Sequence, residues 1–298
     1  MNPEIAAVRQ LLAQSPMAPS TSTDFAALRA GLESFAGALP LVEGATVEAM
    51  SLDGVACERV AAPGASAERA IVYLHGGGYA IGSPRTHRAL AAQFSAASGA
   101  TAYVIDYPLA PEHPFPAGLN AAVAAYQGLL TQGLKPANIV IAGDSAGGGL
   151  TLAAALKLRA MNAPMPAGLF CMSPWADLSQ SGESHRTHAG RDPIVLTESQ
   201  MAWSVIYAGK TPVSDPMVSP VKGDFTKLPP ILVHVGTEEV LLSDALAVAA
   251  RAGEAGVECT LVIAPEMIHV WHAFFPLLTA ARTAIADAGS WIKTKLGG

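Results

Sequence analysis

Short apolar runs and longer amphipathic stretches alternate along most of this chain. Residues 70–75, 101–106, 138–143, 168–173, 231–235 and 258–263 are rich in Val, Ile or aromatic side chains. Most of these runs are nearly continuous in apolar character. Strands covered on both faces of a parallel sheet read this way, because neither side-chain face meets water. Between them, residues 85–98, 116–131, 148–161, 243–255 and 278–295 read as helices. Strands and helices that alternate through short links predict an α/β domain, a mostly parallel sheet with helices on both faces. Ahead of it, residues 47–51 and 55–61 flank Asp53-Gly54, a dipeptide suited to the positive φ angles of a tight hairpin. The sheet is therefore expected to begin antiparallel and to continue parallel.

Two segments break this rhythm. In the first, residues 1–45, Thr23-Asp24 precede Phe25, Leu28, Leu32, Phe35 and Leu39, which form one helical stripe capped at its start. In the second, residues 175–221, Thr197 and Gln200 have the spacing of a capping box ahead of Met201, Trp203, Val205, Ile206 and Tyr207. Long insertions in compact domains are usually functional. Both segments read as parts of a helical cap over the C-terminal edge of the sheet. The expected organisation is residues 1–45 as the N-terminal part of the cap and 46–298 as the α/β domain, with a cap insertion at about 180–215. A helix packed on the side of the domain is the simpler reading of the N-terminal stripe.

Composition narrows the function classes. Of 298 residues, 51% are hydrophobic and 14% charged, so a sizeable core is expected. A net charge of −6 argues against a nucleic-acid surface, which needs a basic face, and favours neutral or apolar small molecules. No run approaches the roughly 18 apolar residues of a membrane span, and Met1-Asn2-Pro3-Glu4 lacks the basic start of a signal peptide. Cys57, Cys171 and Cys259 are scattered and odd in number, a poor disulfide framework that suits a reducing, cytoplasmic setting. His185 and His188 are spaced i,i+3, but no cluster of ligands completes a metal site, and they read as a loop or helix-surface pair.

The chemistry is concentrated in four places. Gly143-Asp144-Ser145-Ala146-Gly147 joins a strand run to a helix run, the context in which G-x-S-x-G forms a nucleophile turn. The turn is sharp, so the residues flanking Ser145 must be small, and it presents the hydroxyl at a helix N-terminus, where free N–H groups favour negative charge. A glycine-rich turn cradling a phosphate is the alternative for the motif alone. His75-Gly76-Gly77-Gly78 follows an earlier strand and matches an oxyanion-hole loop. Gly76, Gly77 and Gly78, with Ala146, are the candidate donors; Gly77 and Gly78 are the best placed of the loop. After the strand run 231–235 come Glu238, Glu239 and Asp244, three carboxylates at the sheet edge where a triad acid belongs. Asp244 falls on the next helix, where Ser243 and Asp244 fit as cap residues. His269, beyond the last strand run, is the candidate general base; His272 is its rival and reads better as a helix-surface or packing residue. Nucleophile, acid and base follow in the chain order of α/β-hydrolases.

With these motifs in view, the sequence resembles the hormone-sensitive-lipase family of bacterial esterases. The matching stretches are HGGGYAIGS at 75–83, DYPLAPEHPFPA at 106–117, GDSAGG at 143–148, SPWADL at 173–178, GTEEVLLSDA and MIHVWHAF. The resemblance implies an eight-stranded sheet, a cap, no cofactor, and hydrolysis of short- and medium-chain acyl esters. It places the nucleophile on Ser145, the base on His269 and the acid on Glu239 rather than Glu238. The acid in this family is usually Asp, so Glu239 is one methylene longer. Tyr107-Pro108 stands where Tyr-Arg is common, and Val270-Trp271 where Gly-Phe is common. Many members are homodimers, and the edge run 258–263 is where a twin could pair. Phe25, Leu28, Tyr79, Trp203, Ile206 and Tyr207 are the expected pocket walls. A hydrolase of amides, lactones or carbamates is the alternative enzyme, and a small-molecule receptor on the same fold the alternative outside catalysis.

Overall fold

A computed structural model describes residues 2–15 and 21–298. Residues 16–20, within the expected N-terminal part of the cap, lie outside the described residues. Two helices come first, α1 (Pro3–Ala13) and α2 (Phe25–Ala36). Asp24 caps α2 by accepting from Ala27 N–H, as its position ahead of the stripe predicts. The remaining elements in chain order are β1 (Thr46–Leu52), β2 (Val55–Ala61), β3 (Ser66–Leu74), α3 (Pro84–Ser98), β4 (Ala100–Ile105), α4 (Ala117–Thr131), β5 (Ile139–Asp144), α5 (Ala146–Ala160), β6 (Gly168–Met172), α6 (Ser184–Thr187), α7 (Thr197–Ala208), β7 (Ile231–Gly236), α8 (Leu242–Glu254), β8 (Cys259–Ala264) and α9 (Thr279–Lys295).

Among the described residues, eight strands form one sheet in the order β1-β2-β4-β3-β5-β6-β7-β8. β1 and β2 form the expected hairpin, with Asp53 at φ +47° and Gly54 at φ +81°. β2 pairs antiparallel with β4, and from β4 onward the pairings are parallel. Alternate side chains of β3 serve two separate cores. Val72 and Leu74 join the layer containing α4, α5 and α8, while Ile71 and Tyr73 join the layer containing α1, α3 and α9. This alternation follows from the two-residue period of a strand. β8 has one neighbour only and leaves Val262 and Ile263 exposed at the sheet edge.

Helices α2 and α7 stand over the C-terminal ends of the strands. Phe25 meets Trp203 edge-on at 5.4 Å between ring centroids, joining α2 to α7. Arg29 on α2 donates to the carbonyls of Ala80 and Ala110 and pairs with Glu112, which fastens α2 to the loops after β3 and β4.

Three local expectations are corrected. Leu196, not Thr197, is the N-cap of α7, and no capping box forms; Thr197 Oγ1 donates instead to the carbonyl of His185. Ser243 and Asp244 do not cap α8. Asp244 is buried and accepts from Ala176 N–H and Asp177 N–H, while Ser243 exchanges hydrogen bonds with Ser184. His185 is not a surface residue: it is buried, with Nε2 2.9 Å from Asp244 Oδ1. Short polar side chains near a helix start compete for any nearby backbone group, and tertiary partners won here.

Candidate active site

β5 ends at Asp144, and the chain turns sharply into α5 through Ser145, which has φ +54° and ψ −120°. A non-glycine residue at such angles is strained, and the surroundings must hold it there. Ser145 N–H donates to Met172 O, and Ser145 O accepts from Gly149 N–H and Trp175 N–H. The flanking glycines have no room for side chains: a Cβ at Gly143 would lie 2.3 Å from Gly147 O, and one at Gly147 would lie 1.9 Å from Leu74 O. The turn leaves Ser145 partly exposed to a cavity of about 440 Å³ that Gly77, Gly78 and His269 also line.

His269 comes from the loop after β8. Its Nδ1 lies 3.0 Å from Glu239 Oε2, so Nε2 is the nitrogen left for Ser145. Among the described residues no hydrogen bond joins Ser145 Oγ to His269; in hydrolases that contact often tightens only when substrate is held. Glu239 is completely buried, and its Oε1 accepts from Gly236 N–H at 2.5 Å and from Ser173 Oγ at 2.8 Å. Burial pushes the Glu239 carboxyl above its ordinary value, against the pull of the His269 hydrogen bond and charge. Burial alone would lower the pKa of His269. The hydrogen bond and charge of Glu239, with the carboxylates of Asp192 and Asp144, outweigh it and raise the imidazole above its ordinary value.

The neighbouring Glu238 points elsewhere. It pairs with Arg191 at 2.7 Å and Arg9 at 3.7 Å, near the surface. His272 is fully buried, 3.0 Å from His234 Nδ1 and packed beside Trp271. Burial holds the imidazoles of both His272 and His234 well below the usual range, so the two are neutral packing groups.

The glycine loop after β3 divides by role. Gly77 (φ +117°) and Gly78 (φ +59°) line the cavity, in conformations that side chains rarely adopt. A Cβ at Gly78 would meet the Trp203 ring at 2.2 Å. Ala146 is the first residue of α5, so its N–H precedes the helix's own ladder. Gly76 is corrected. Its N–H donates to Asp144 Oδ1 at 3.1 Å and is therefore not free for an oxyanion. Asp144 also accepts from Tyr73 Oη and lies 3.5 Å from His87 Nε2. Burial would raise the Asp144 carboxyl, but the charges and hydrogen bonds of His87 and Tyr73 hold it below its ordinary value. The loop is braced from its other side by His75, whose ring stacks on Tyr107 at 4.2 Å and whose carbonyl accepts from Tyr107 Oη. Burial drives the His75 imidazole down to about 3, so it packs there as a neutral ring.

Of the expected walls, Leu28 and Trp203 line the cavity. Phe25, Tyr79, Ile206 and Tyr207 do not. Tyr79 and Tyr207 stack at 3.7 Å in the core beneath α7, while Phe25 and Ile206 back the wall. The face of α7 turned to the cavity carries Ser199, Gln200 and Trp203, and 206–207 rotate onto the loop after β3. Unforeseen wall residues are Leu32 and Phe35 from the stripe on α2, Ile194–Leu196 ahead of α7, and Phe274. Asp192 also escaped the sequence reading; it is buried and accepts from Ile194 N–H, Val195 N–H and Val240 N–H.

Residues 71–273 match a family described as having the alpha/beta hydrolase fold. An acetyl-hydrolase of Streptomyces hygroscopicus is 45% identical over 229 residues, 77% of either chain. A solved esterase from the bacterial hormone-sensitive lipase family superposes with a TM-score of 0.96 at 40% identity, covering 100% of this chain and 99% of its own. The crystal structure of EstE5 soaked by p-nitrophenyl butyrate gives 0.95 at 41% identity over 100% of both chains. This chain belongs to the α/β-hydrolase family, in its hormone-sensitive-lipase-like branch of bacterial esterases.

Proposed function

We propose that this chain is a serine carboxylesterase acting on short- to medium-chain acyl esters, with Ser145 as nucleophile, His269 as general base and Glu239 as the acid that orients the base. The observation that carries this reading is the buried Glu239–His269 hydrogen bond, whose imidazole shares one cavity with a serine on a left-handed turn. Proton transfer from Ser145 to His269 Nε2 lets the oxygen attack the ester carbonyl. The carbonyl oxygen gains charge as the tetrahedral intermediate forms, and the N–H groups of Gly77, Gly78 and Ala146 receive it. The alcohol leaves with the proton from His269. Water, activated by the same imidazole, then attacks the acyl-serine carbonyl and releases the acid.

A mostly apolar lining suits an acyl chain, and the name of the Streptomyces relative and the EstE5 soak support ester chemistry. Residues 1–45 and about 180–215 act as the cap. A homodimer through β8 and a reducing, cytoplasmic setting for the three free cysteines fit this reading. Among the described residues no helix is long and apolar enough to cross a membrane. Hydrolysis of p-nitrophenyl esters of increasing acyl length tests the substrate class. Ser145→Ala should lose activity by on the order of 10⁶. Labelling of Ser145 by an organophosphonate in the unchanged protein should occur in parallel. A Ser145→Ala protein that keeps more than about a thousandth of the activity would overturn the nucleophile assignment.

A further inference from the structure

We propose that Ser173 is a positioning residue that aligns the acid and the base at once, and that its hydroxyl is what allows a glutamate to serve at position 239. This inference rests on the triad reading above. Glutamate carries one more rotatable bond than aspartate, so its carboxylate needs an added restraint to meet the imidazole squarely. Oε2 is committed to His269, and Oε1 is held by Gly236 N–H and by the Ser173 hydroxyl. The same Ser173 oxygen accepts from Val270 N–H at 3.1 Å, the residue directly after the base. One hydroxyl thus donates to the acid and accepts from the loop that carries His269.

The backbone indicates how tightly this arrangement is constrained. Ser173 is fully buried at φ +46°, and Val270 also has φ +46°, an unusual state for a β-branched residue. Such conformations persist where surrounding contacts over-determine them. Ser173 N–H donates to His234 O at 2.7 Å, which anchors it to the strand leading to Glu239. The segments that follow β6, β7 and β8 therefore meet at one hydroxyl oxygen. The Ser173 O–H dipole points its positive end at the carboxylate and so tempers the field at His269. The charged groups facing His269 are Glu239, Asp192 and Asp144, and none is altered by a change at 173.

Ser173→Gly is the informative variant, because glycine adopts φ +46° without strain and removes the hydroxyl together with its Cβ; Ser173→Ala, which removes the hydroxyl alone, is the companion. With p-nitrophenyl butyrate, kcat of Ser173→Gly should fall about ten- to a hundredfold, the scale of one hydrogen bond to a charged group. KM should change little, and the acid limb of the kcat/KM profile should move to higher pH. In a His269→Ala background the same change should have almost no further effect, since residues acting as a unit are not additive. Wild-type kcat and an unmoved pH profile in folded Ser173→Gly would overturn the proposal. So would a loss of kcat matched by an equal loss of organophosphonate-titratable sites, which would make the role structural. Failure of the triad reading itself looks different: His269→Ala would then remain active whatever stands at 173.

Discussion

Replacing Glu239 by glutamine tests the site at its most sensitive point, because the surroundings dictate how the amide must lie. Oε1 of Glu239 receives the Gly236 N–H at 2.5 Å, a donor that cannot turn away. An amide NH₂ placed there would set donor against donor in a fully buried position, a penalty of about 1–3 kcal/mol. The glutamine oxygen therefore takes that place, and its NH₂ faces His269 Nδ1, 3.0 Å from the replaced oxygen. An NH₂ group can only donate, so Nδ1 must be unprotonated and the imidazole proton must sit on Nε2. That nitrogen can then no longer accept the proton of Ser145. Loss of the correct tautomer in a serine triad lowers kcat by about 10⁴, or about 5 kcal/mol of barrier. Steady-state hydrolysis of p-nitrophenyl butyrate reads this directly, with Glu238→Gln as the reference. Among the described residues the Glu238 side chain pairs with Arg9 and Arg191 near the surface, worth about 0–1 kcal/mol in stability, so its change should leave kcat near wild type. A Glu239→Gln enzyme within about tenfold of wild type, beside a crippled Glu238→Gln, would refute the reasoning.

Activity should rise with pH along a limb whose midpoint lies above the ordinary histidine value of about 6.5, because Glu239 and its neighbouring carboxylates raise the folded His269 pKa. The stability contributed by the charged imidazole runs the other way: it is fully present below about pH 6.5 and fades as pH climbs through the raised value. A kcat/KM profile and denaturant melts over the same pH range check both signs. Gly77→Ala should lower kcat by about 10²–10³ through a displaced oxyanion donor, because its Cβ would lie 2.2 Å from Ile81 O at φ +117°; kinetics on the folded variant decide it. Asp244→Ala should destabilise the fold by about 3–5 kcal/mol, since His185 and two backbone N–H groups would lose a buried partner. Urea unfolding measures that loss, and a change below about 1 kcal/mol would contradict it.

Much of this architecture was legible in the residues because local sterics and periodicity decide it. Continuous apolar runs read as doubly covered strands, Asp53-Gly54 as a hairpin, and glycines around Ser145 as a turn with no space for a Cβ. These features depend on neighbours within a few residues, so the chain order carries them. The triad candidates were narrowed by position past a strand end, and the choice of Glu239 over Glu238 came from family resemblance rather than from spacing. Which donors and walls face the cavity depended on contacts between distant segments. Gly76 and Gly77 look alike in sequence, yet Asp144 occupies the N–H of the first. Tyr207 shares a helix with Trp203, but stacking on Tyr79 turns it into the core. Ser173 lies in a matching stretch and Asp192 in none, yet the role of either is set by remote contacts: Ser173 Oγ joins Glu239 to Val270 N–H, and Asp192 ties the segment before α7 to Val240 N–H. Side-chain direction at such points is set by packing across the folded molecule, and only the tertiary structure contains that information.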